Sequence, residues 1–436
     1  MYNKDRQVRI LKDRKMTEIR IGYACLNEDT QLNYRTLRKD KMSQENLKEI
    51  IGHNLLVLKE MLLWNEKNQV KVYRISSDLI PFGSSPLNGL AWEEVFQEEF
   101  KELRELIKRS GQRISFHPGQ YTVLNSPKKE VVEASIKDLA YHERLLRALG
   151  ANSTNKMVLH VGGVYGDKKK ALERFIENYE KLDQDIKDHL VIENDHRSYN
   201  MEDVLYLSEK LKLPLIFDNL HHEINPPDQA GPWKDYFLRA KKTWKKKDGR
   251  PIIHYSQQKK DDRPGSHSDH IEIDSFKDFL EDLGENLDIM LEVKDKNRSF
   301  LSCNQLINPQ IQVLRDQWSK YKYLVLLKSH KNYLAIRELL KTSSPNPLVF
   351  YRLVEEAAKK EWDWGQASNG YAHIWGYFKK KASPGEKDQY EKHLKDLAKG
   401  DLKKPWAFLK RMQKKYPNDY LSQSYLFRPG NYWFKG

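Results

Sequence analysis

The stretch RISFHPGQYTVLN (113–125) begins with the alternation of a β-strand. It then places an imidazole, a rigid turn, an amide and a phenol where the strand should end. Alternating apolar and polar residues favour a strand. The Pro-Gly pair after His117 predicts a sharp turn. The sequence therefore predicts a strand whose carboxyl end carries polar side chains suited to chemistry.

Seven further stretches of the first 300 residues share this design. Short apolar runs alternate with longer segments in which apolar residues recur at intervals of three and four, as in KKALERFIENYEKLDQDI. The eight predicted strands are RIGYACLN (20–27), KVYRISSDLIPFG (71–83), RISFHPGQ (113–120), KMVLHVGG (156–163), HLVIENDH (189–196), LPLIFDNLHH (213–222), RPIIHYSQ (250–257) and LDIMLEVKDK (287–296). Eight strand-helix units predict an α/β fold, namely a TIM-type (β/α)8 barrel.

Nearly every predicted strand has its apolar part first and a polar or metal-capable residue at its end. In a TIM-type barrel the carboxyl ends of the strands form one rim, so these side chains should converge. They are His117, His160, Glu193, Asp218, His221, His254 and Glu292. His267, in the loop after the seventh strand, is expected to join them.

Imidazoles and carboxylates without thiolates suit zinc, manganese, iron or cobalt better than calcium, which prefers oxygen ligands. The two cysteines, Cys25 and Cys303, are too few for a cysteine-based zinc site or a disulfide framework. Because the set exceeds what one ion takes, we expect two or three ions. Such clusters activate water and stabilise the oxygens of a phosphoryl displacement.

The composition indicates a globular chain, with 436 residues of which 39% are hydrophobic. No apolar run approaches the roughly 18 residues of a membrane helix. The start, MYNKDRQVRILKDRKMTEIR, has basic residues without the apolar stretch of a signal peptide. We therefore expect a cytoplasmic protein that does not associate with membranes.

The net charge of +14 is distributed unevenly along the chain. Residues 1–300 contain 51 Lys and Arg against 50 Asp and Glu, whereas residues 301–436 contain 25 against 12. This pattern predicts a catalytic domain over residues 1–300, with a basic N-terminal extension over 1–17, and a second domain over 301–436 able to hold a polyanion. A solvated basic surface is the alternative.

Seven motifs together resemble the UV damage endonuclease family, a metal-dependent TIM barrel similar to endonuclease IV. They are GYACLN, FHPGQY, LHVGG, IEND, FDNLHH, IHYSQ followed by HSDHIE, and MLEVKDK, in order between residues 18 and 298. The resemblance implies a DNA repair endonuclease that incises duplex DNA immediately 5′ to ultraviolet photoproducts, both cyclobutane pyrimidine dimers and 6-4 photoproducts, leaving a 3′-hydroxyl.

Matched motif by motif, the resemblance implies that all eight rim residues are metal ligands. It also implies that Glu193, His254 and Glu292 are the catalytic ones among them. The expected ion is Mn²⁺, with Zn²⁺, Co²⁺ and Mg²⁺ as alternatives. Gln120 and Tyr121 should enter the DNA as a wedge, because a damaged dinucleotide stacks poorly and costs less to extrude. The same pocket is expected to include Tyr23 and Asn27. The expected partner of this monomer is UV-damaged double-stranded DNA.

Three positions depart from the family pattern. Ile252 stands two residues before His254, where the family commonly has a Lys that can be carboxylated. His196 follows the END of IEND, where an acid is usual, and Ser84 and Ser85 stand where some relatives have a His. These departures bear on the third metal ion, the metal preference and the pH optimum.

Residues 305–436 lack strand alternation and predict a mainly α-helical domain that resembles YbgA-type proteins in GYFKKKASPGEKDQYEKHLKDLAKG and KYPNDYLSQSYLFRP. Basic residues interleaved with Trp, Tyr and Phe suit phosphate contacts with stacking. The alternative is a structural domain whose aromatic residues form its own core.

Other functions remain open on the sequence. An abasic-site endonuclease would share the same site, and a metal-dependent sugar isomerase or aldolase could use a similar barrel. An isomerase would need neither the GQY turn nor a basic appendage, and a DNA-binding protein without catalysis would need no set of eight ligands.

Overall fold

The computed structural model of the protein describes residues 19–229, 231–283 and 286–428. The chain divides into two compact units: residues up to 271 with 280–301, and residues 272–279 with 302 onward. The predicted basic extension over residues 1–17 lies outside the described residues.

The first unit is a closed barrel of eight parallel strands in chain order, and β8 pairs with β1 to close it. The strands are β1 Arg20–Ala24, β2 Val72–Arg74, β3 Arg113–Phe116, β4 Lys156–His160, β5 Leu190–Glu193, β6 Leu215–Asp218, β7 Ile252–Tyr255 and β8 Asp288–Leu291. Each lies within the run predicted for it. The prediction of a TIM-type barrel is confirmed.

An apolar layer fills the barrel interior directly below the rim. Its buried residues are Ala24, Val72, Val158, Val191, Ile216, Ile252 and Met290. Strand side chains alternate between two faces, so a residue two positions further along points to the same side. Because Val191 faces the interior, Glu193 two residues later also faces inward. The same relation holds between Met290 and Glu292. The alternation of the strands places the rim residues above this layer.

The close approach of β1 and β2 requires the glycine at position 22. A Cβ atom there would lie 1.7 Å from the carbonyl oxygen of Val72. Gly22 therefore lets the two strands pair, as their register joins Gly22 to Val72.

Several helices of the barrel part begin with a side-chain cap. Ser43, for example, accepts a hydrogen bond from the backbone N–H of Asn46, which satisfies a donor at the helix start. The helices are Gln44–Lys67, Trp92–Val95, Gln97–Ser110, Lys129–Ala148, Lys168–Glu180, Gln184–His189, Met201–Leu211, Asn219–Ile224 and Trp233–Thr243, followed by Ile273–Leu283 and Asn297–Ile307 near the unit boundary.

Buried charges at the amino ends of the strands are paired. Asp288 accepts from Arg20 at 2.6 Å and from Arg113 at 2.8 Å. Lys156 lies 2.7 Å from Asp248. This end of the barrel is closed by satisfied ion pairs.

The second unit is helical, as predicted. Its helices are Ile311–Lys328, His330–Leu339, Pro347–Lys359, Trp364–Trp375, Pro384–Ala398, Lys403–Lys415 and Asp419–Gln423. Many of its aromatic residues are buried in its own core, including Phe350, Tyr371, Trp375 and Phe408. Trp406, Phe427 and other aromatic residues are only partly buried. In the described parts of both units, no helix is long and apolar enough to cross a bilayer.

Candidate functional site

The HPGQY segment forms a tight turn at the end of β3. The N–H of Thr122 donates to the carbonyl of Gly119 at 2.9 Å, which leaves Gln120 and Tyr121 at the tip of a four-residue turn. Tyr121 is 70% exposed. A Cβ atom on Gly119 would lie 2.4 Å from the Tyr121 ring, so glycine is required for this ring position. The turn presents an amide and a phenol to the surface.

The turn is held by the helix Lys129–Ala148. Thr122 donates to Asp138 at 2.7 Å, and the N–H of Val123 donates to the Ser135 hydroxyl at 2.9 Å. The hydroxyl of Ser77 donates to the carbonyl of His117 at 2.9 Å. The backbone on either side of the tip is thereby fixed.

Glu193, which is buried at the end of β5, lies among three rim imidazoles. Its Oε2 is 3.3 Å from His117 Nε2 and 3.6 Å from His160 Nε2. Its Oε1 is 2.5 Å from His254 Nδ1. One carboxylate therefore faces ligands from three other strands.

Three groups of rim residues have ligand atoms within 4.8 Å of one another, the spacing needed to hold a metal ion. They are His117 with His160 and Glu193, Glu193 with Asp218 and His221, and Glu193 with His254 and Glu292. Glu193 belongs to all three. His267 Nε2 lies 3.6 Å from Glu292 Oε2, at the edge of the third group.

Within the described residues, His160 Nδ1 and Asp218 Oδ2 are among the buried rim atoms without a hydrogen-bond partner. Buried polar atoms are normally satisfied. A set of imidazoles and carboxylates with an unsatisfied carboxylate oxygen fits a divalent cation. The donors present at the rim therefore fit the metal that the sequence predicts.

Burial and neighbouring charges set the protonation of the rim. Burial lowers the pKa of His160 to about 3, so this imidazole is neutral near pH 7. Burial also opposes protonation of His254, but the Glu193 and Glu292 carboxylates outweigh it and raise the His254 pKa. Burial raises the pKa of Asp218. The rim thus contains a neutral imidazole, His160, beside closely packed carboxylates, which a cation would stabilise.

Arg74 is a rim residue that the sequence analysis missed. It ends β2, and its guanidinium donates to Glu292 Oε1. Although burial opposes ionisation of Glu292, Arg74 and His254 hold the Glu292 pKa well below its ordinary value. The sequence does place a basic residue at the end of this strand, but an arginine is not a metal ligand and therefore gives no signal for a metal site.

Asn194, the third residue of the IEND motif, joins the ends of β5 and β6. Its side-chain oxygen accepts from the N–H of Asp218 at 2.9 Å, and its amide donates to the Asp218 carbonyl at 3.1 Å. The backbone carbonyl of Asn194 lies 2.9 Å from His221 Nδ1, which leaves the other ring nitrogen of His221 available as a ligand. Asn194 therefore positions residues that belong to the second group.

A cleft of about 1550 Å³ opens above the rim. Its walls combine rim imidazoles, two tyrosines and a set of cations. They include His160, His221, His267, Gln120, Tyr121, Tyr165, Arg197, Arg263, Lys294 and Lys296. Tyr165 is 46% exposed and has a left-handed backbone with φ of 49°, a conformation that is uncommon for residues other than glycine. Tyr165 was not identified from the sequence.

Tyr23 and Asn27 do not lie where the sequence analysis expected them. Tyr23 is completely buried and Asn27 nearly so, and neither lines the cleft. The Tyr23 hydroxyl donates to Asn65 at 2.5 Å and accepts from Asn27 at 2.7 Å, while its ring packs against Trp64. Tyr23 points outward from β1 toward the helices, because Ala24 takes the inward position.

The positions that depart from the family pattern have distinct surroundings. Ile252 is buried in the apolar layer of the barrel. His196 lines the cleft, with its ring centroid 5.3 Å from that of His221. Ser84 and Ser85 are not among the residues that line the cleft.

The model of the UV-endonuclease UvdE family matches residues 15–318. The chain belongs to this family. The resemblance drawn from the seven motifs is thereby confirmed. A second family model, a protein of unknown function (DUF1722), matches residues 322–430.

Individual relatives agree with this membership. The UV DNA damage endonuclease of Clostridium perfringens is 40% identical over 349 residues, which are 78% of this chain and 83% of the relative. The enzyme of the same name from Bacillus pumilus is 35% identical over 273 residues, 61% of this chain and 84% of the relative. The crystal structure of SacUVDE has 38% identity and a TM-score of 0.63, and the match covers 67% of this chain and 98% of that chain.

Proposed function

We propose that the protein is a DNA repair endonuclease that incises duplex DNA immediately 5′ to ultraviolet photoproducts. The observation that carries this proposal is the position of Glu193 in three potential ligand groups at one barrel rim, below a cleft that exposes Gln120 and Tyr121. Family membership and relatives named UV DNA damage endonucleases support it. We propose that it acts as a monomer in the cytoplasm.

The proposed cofactor is two or three divalent ions held by the eight rim residues, with Mn²⁺ as the first choice. Bound there, divalent ions would lower the pKa of a water and neutralise the oxygens of the scissile phosphate. In this proposal Glu193, His254 and Glu292 are the catalytic ligands. Arg74 keeps Glu292 ionised, since the guanidinium donates directly to this carboxylate.

The cations of the cleft suit the sugar-phosphate backbone. Arg197, Arg263, Lys294 and Lys296 line the cleft together with the rim imidazoles. Phosphate contacts position a protein on DNA without reading its sequence. This wall would hold the strand so that one phosphate lies over the rim.

Gln120 and Tyr121 are proposed to fill the gap left when a damaged dinucleotide leaves the stack. Extrusion of a damaged pair costs less than extrusion of an intact pair, and this difference favours lesions. The rigid support of the turn by Asp138 and Ser135 fits a wedge that must keep its shape. Tyr165, on the same cleft, offers a second ring on which a base could stack.

The test is incision of matched duplexes with no lesion, a cyclobutane dimer, a 6-4 photoproduct or an abasic site, with Mn²⁺, after chelation and after Mn²⁺ is restored. We expect cleavage 5′ to both photoproducts, loss on chelation and recovery with Mn²⁺. Cleavage of the abasic duplex alone would instead establish the abasic-site endonuclease. Failure to cut any of these duplexes would reject the proposal and favour a metal-dependent sugar isomerase.

A further inference from the structure

The C-terminal part of the second unit carries a local excess of positive charge. Residues 403–428 contain seven Lys and Arg and one acid, Asp419. The helix Lys403–Lys415 within this segment has no acidic residue. Clustered cations repel one another, so such a segment is suited to a negatively charged partner.

The lysines of this helix differ in their partners. Lys404 lies 3.5 Å from Asp401, and Lys415 lies 2.7 Å from Glu386. Lys410 and Lys414 are exposed, and in the described parts of the chain neither has a carboxylate within ion-pair distance. Because they are four residues apart, their side chains share one face of the helix. This face therefore presents two cations that the fold does not neutralise.

A pocket of about 480 Å³ lies beside this face. Among the described residues it is lined by Lys410, Gln413, Lys414, Phe427 and Arg428, which supply three cations, an amide and an aromatic ring but no carboxylate. Trp406 extends the aromatic surface, since its ring centroid is 5.3 Å from that of Phe427 and Lys410 Nζ is 5.1 Å from the same indole.

We propose that this pocket binds single-stranded DNA. Lys410, Lys414 and Arg428 would contact separate phosphates of the strand, and a base would stack on Phe427. Cations beside partly buried aromatic rings are the combination by which proteins hold single strands. A small inorganic anion would not need the rings, and an intact duplex keeps the faces of its bases covered. The inference does not depend on incision by the barrel.

The experiment uses the full-length protein and an undamaged oligo(dT) of about 20 nucleotides, with affinity measured by fluorescence anisotropy over a range of salt concentrations. The double variant K410Q/K414Q should weaken binding about tenfold. Each phosphate contact to a single strand contributes about 0.7 to the slope of log affinity against log salt, so loss of two should reduce the slope by about 1.4.

The matched control is K379Q/K380Q, which removes the same charge from exposed lysines of the same unit that do not line the pocket. It should change affinity by less than about twofold, since neither lysine lines the pocket and exposed charges are screened by salt. Equal losses in the two double variants would overturn the inference, because net charge alone would then explain binding.

A third variant separates stacking from charge. Phe427→Leu should weaken oligo(dT) binding several-fold and leave the salt slope unchanged, because stacking releases no counterions. Circular dichroism would verify that each variant is folded. A loss of undamaged-duplex affinity in K410Q/K414Q as large as its loss of oligo(dT) affinity, or no effect of Phe427→Leu, would reject base stacking and with it the proposed site. Since no lesion is present, these results are independent of whether photoproducts are incised.

Discussion

Two buried carboxylates at opposite ends of β8 show how differently the ends of the barrel are built. Asp288 begins β8 and both its oxygens accept from arginines, Arg20 and Arg113. Glu292 directly follows β8, and its oxygens face Arg74, His254 and His267. Four residues of strand, or about 13 Å, separate the two carboxylates. Both carboxylates are buried, but different neighbouring side chains stabilise their negative charges.

The difference lies in whether the partners can lose their charge. Arginine remains protonated at any accessible pH, so the environment of Asp288 is fixed and neutralised. Imidazoles around Glu292 and Glu193 exchange protons and can bind metal. The amino end of the barrel therefore suits stability, while the carboxyl end keeps groups that only a cation would fully satisfy.

The largest expected effect comes from Glu193→Gln. This change removes the one carboxylate shared by all three ligand groups. We expect incision 5′ to photoproducts to fall roughly 10³-fold or more, equivalent to about 4 kcal/mol, while binding to damaged DNA persists. Incision rates and anisotropy with the same duplex measure the two properties. Near-normal cleavage would remove Glu193 from the site.

The next largest effect tests the opposite end. Asp288→Asn leaves Arg113 buried beside a neutral amide, and breaking a buried ion pair costs about 3–5 kcal/mol of unfolding free energy. Urea denaturation would measure this loss. Activity per folded molecule should be unchanged, because Asp288 is remote from the rim.

The control for this loss is Glu202→Gln, which breaks an exposed ion pair with Arg239 in the same unit. Exposed pairs contribute about 0–1 kcal/mol, so this variant should retain nearly full stability. A similar loss of unfolding free energy in both variants would show that the buried ion pairs of Asp288 contribute no more stability than an exposed ion pair. Reduced specific activity of Asp288→Asn would contradict the division between the two ends.

The sequence predicted the barrel and the rim residues because both depend on local patterns. A strand that is apolar until its last residue gives the position of Glu193 or Asp218 without any knowledge of the other strands. The topology then brings their ends together. Alternation also explains why the inward residues two positions earlier, such as Val191 and Ile216, form one layer.

Side-chain direction in β1 could not be read in the same way. The motif GYACLN identifies the strand, but Tyr23 and Ala24 are both plausible inward residues until the partner strands are known. The large ring of Tyr23 packs against Trp64 and Phe300, on the outer side of the strand. Arg74 was missed for another reason: its role depends on Glu292, a partner 218 residues away.

A smaller effect is expected at the surface of the rim. Gln120→Ala combined with Tyr121→Ala should reduce affinity for photoproduct duplexes by about 1–3 kcal/mol, the range for lost base stacking. Affinity for undamaged duplex should change little, because the variant leaves the cations of the cleft in place. Tyr206→Ala, which truncates an exposed tyrosine outside the cleft, is the control. Equal losses on damaged and undamaged DNA would argue against a wedge.

The smallest expected effect is the coupling between the two carboxylates of β8. If Asp288 and Glu292 belong to independent ends, the unfolding free energies lost in Asp288→Asn and Glu292→Gln should add in the double variant within about 0.5 kcal/mol. Each carboxylate is neutralised by its own cations, Asp288 by Arg20 and Arg113 and Glu292 by Arg74. The apolar side chain of Met290 lies between them in the barrel interior.

Urea denaturation of the wild type, both single variants and the double variant would complete this cycle. All four should be measured in chelator, so that bound metal does not add to the stability of the rim. A coupling above about 1 kcal/mol would mean that the ends communicate through β8. The paired charges of the amino end would then help to position Glu292, and stability and catalysis could not be assigned to separate ends of the barrel.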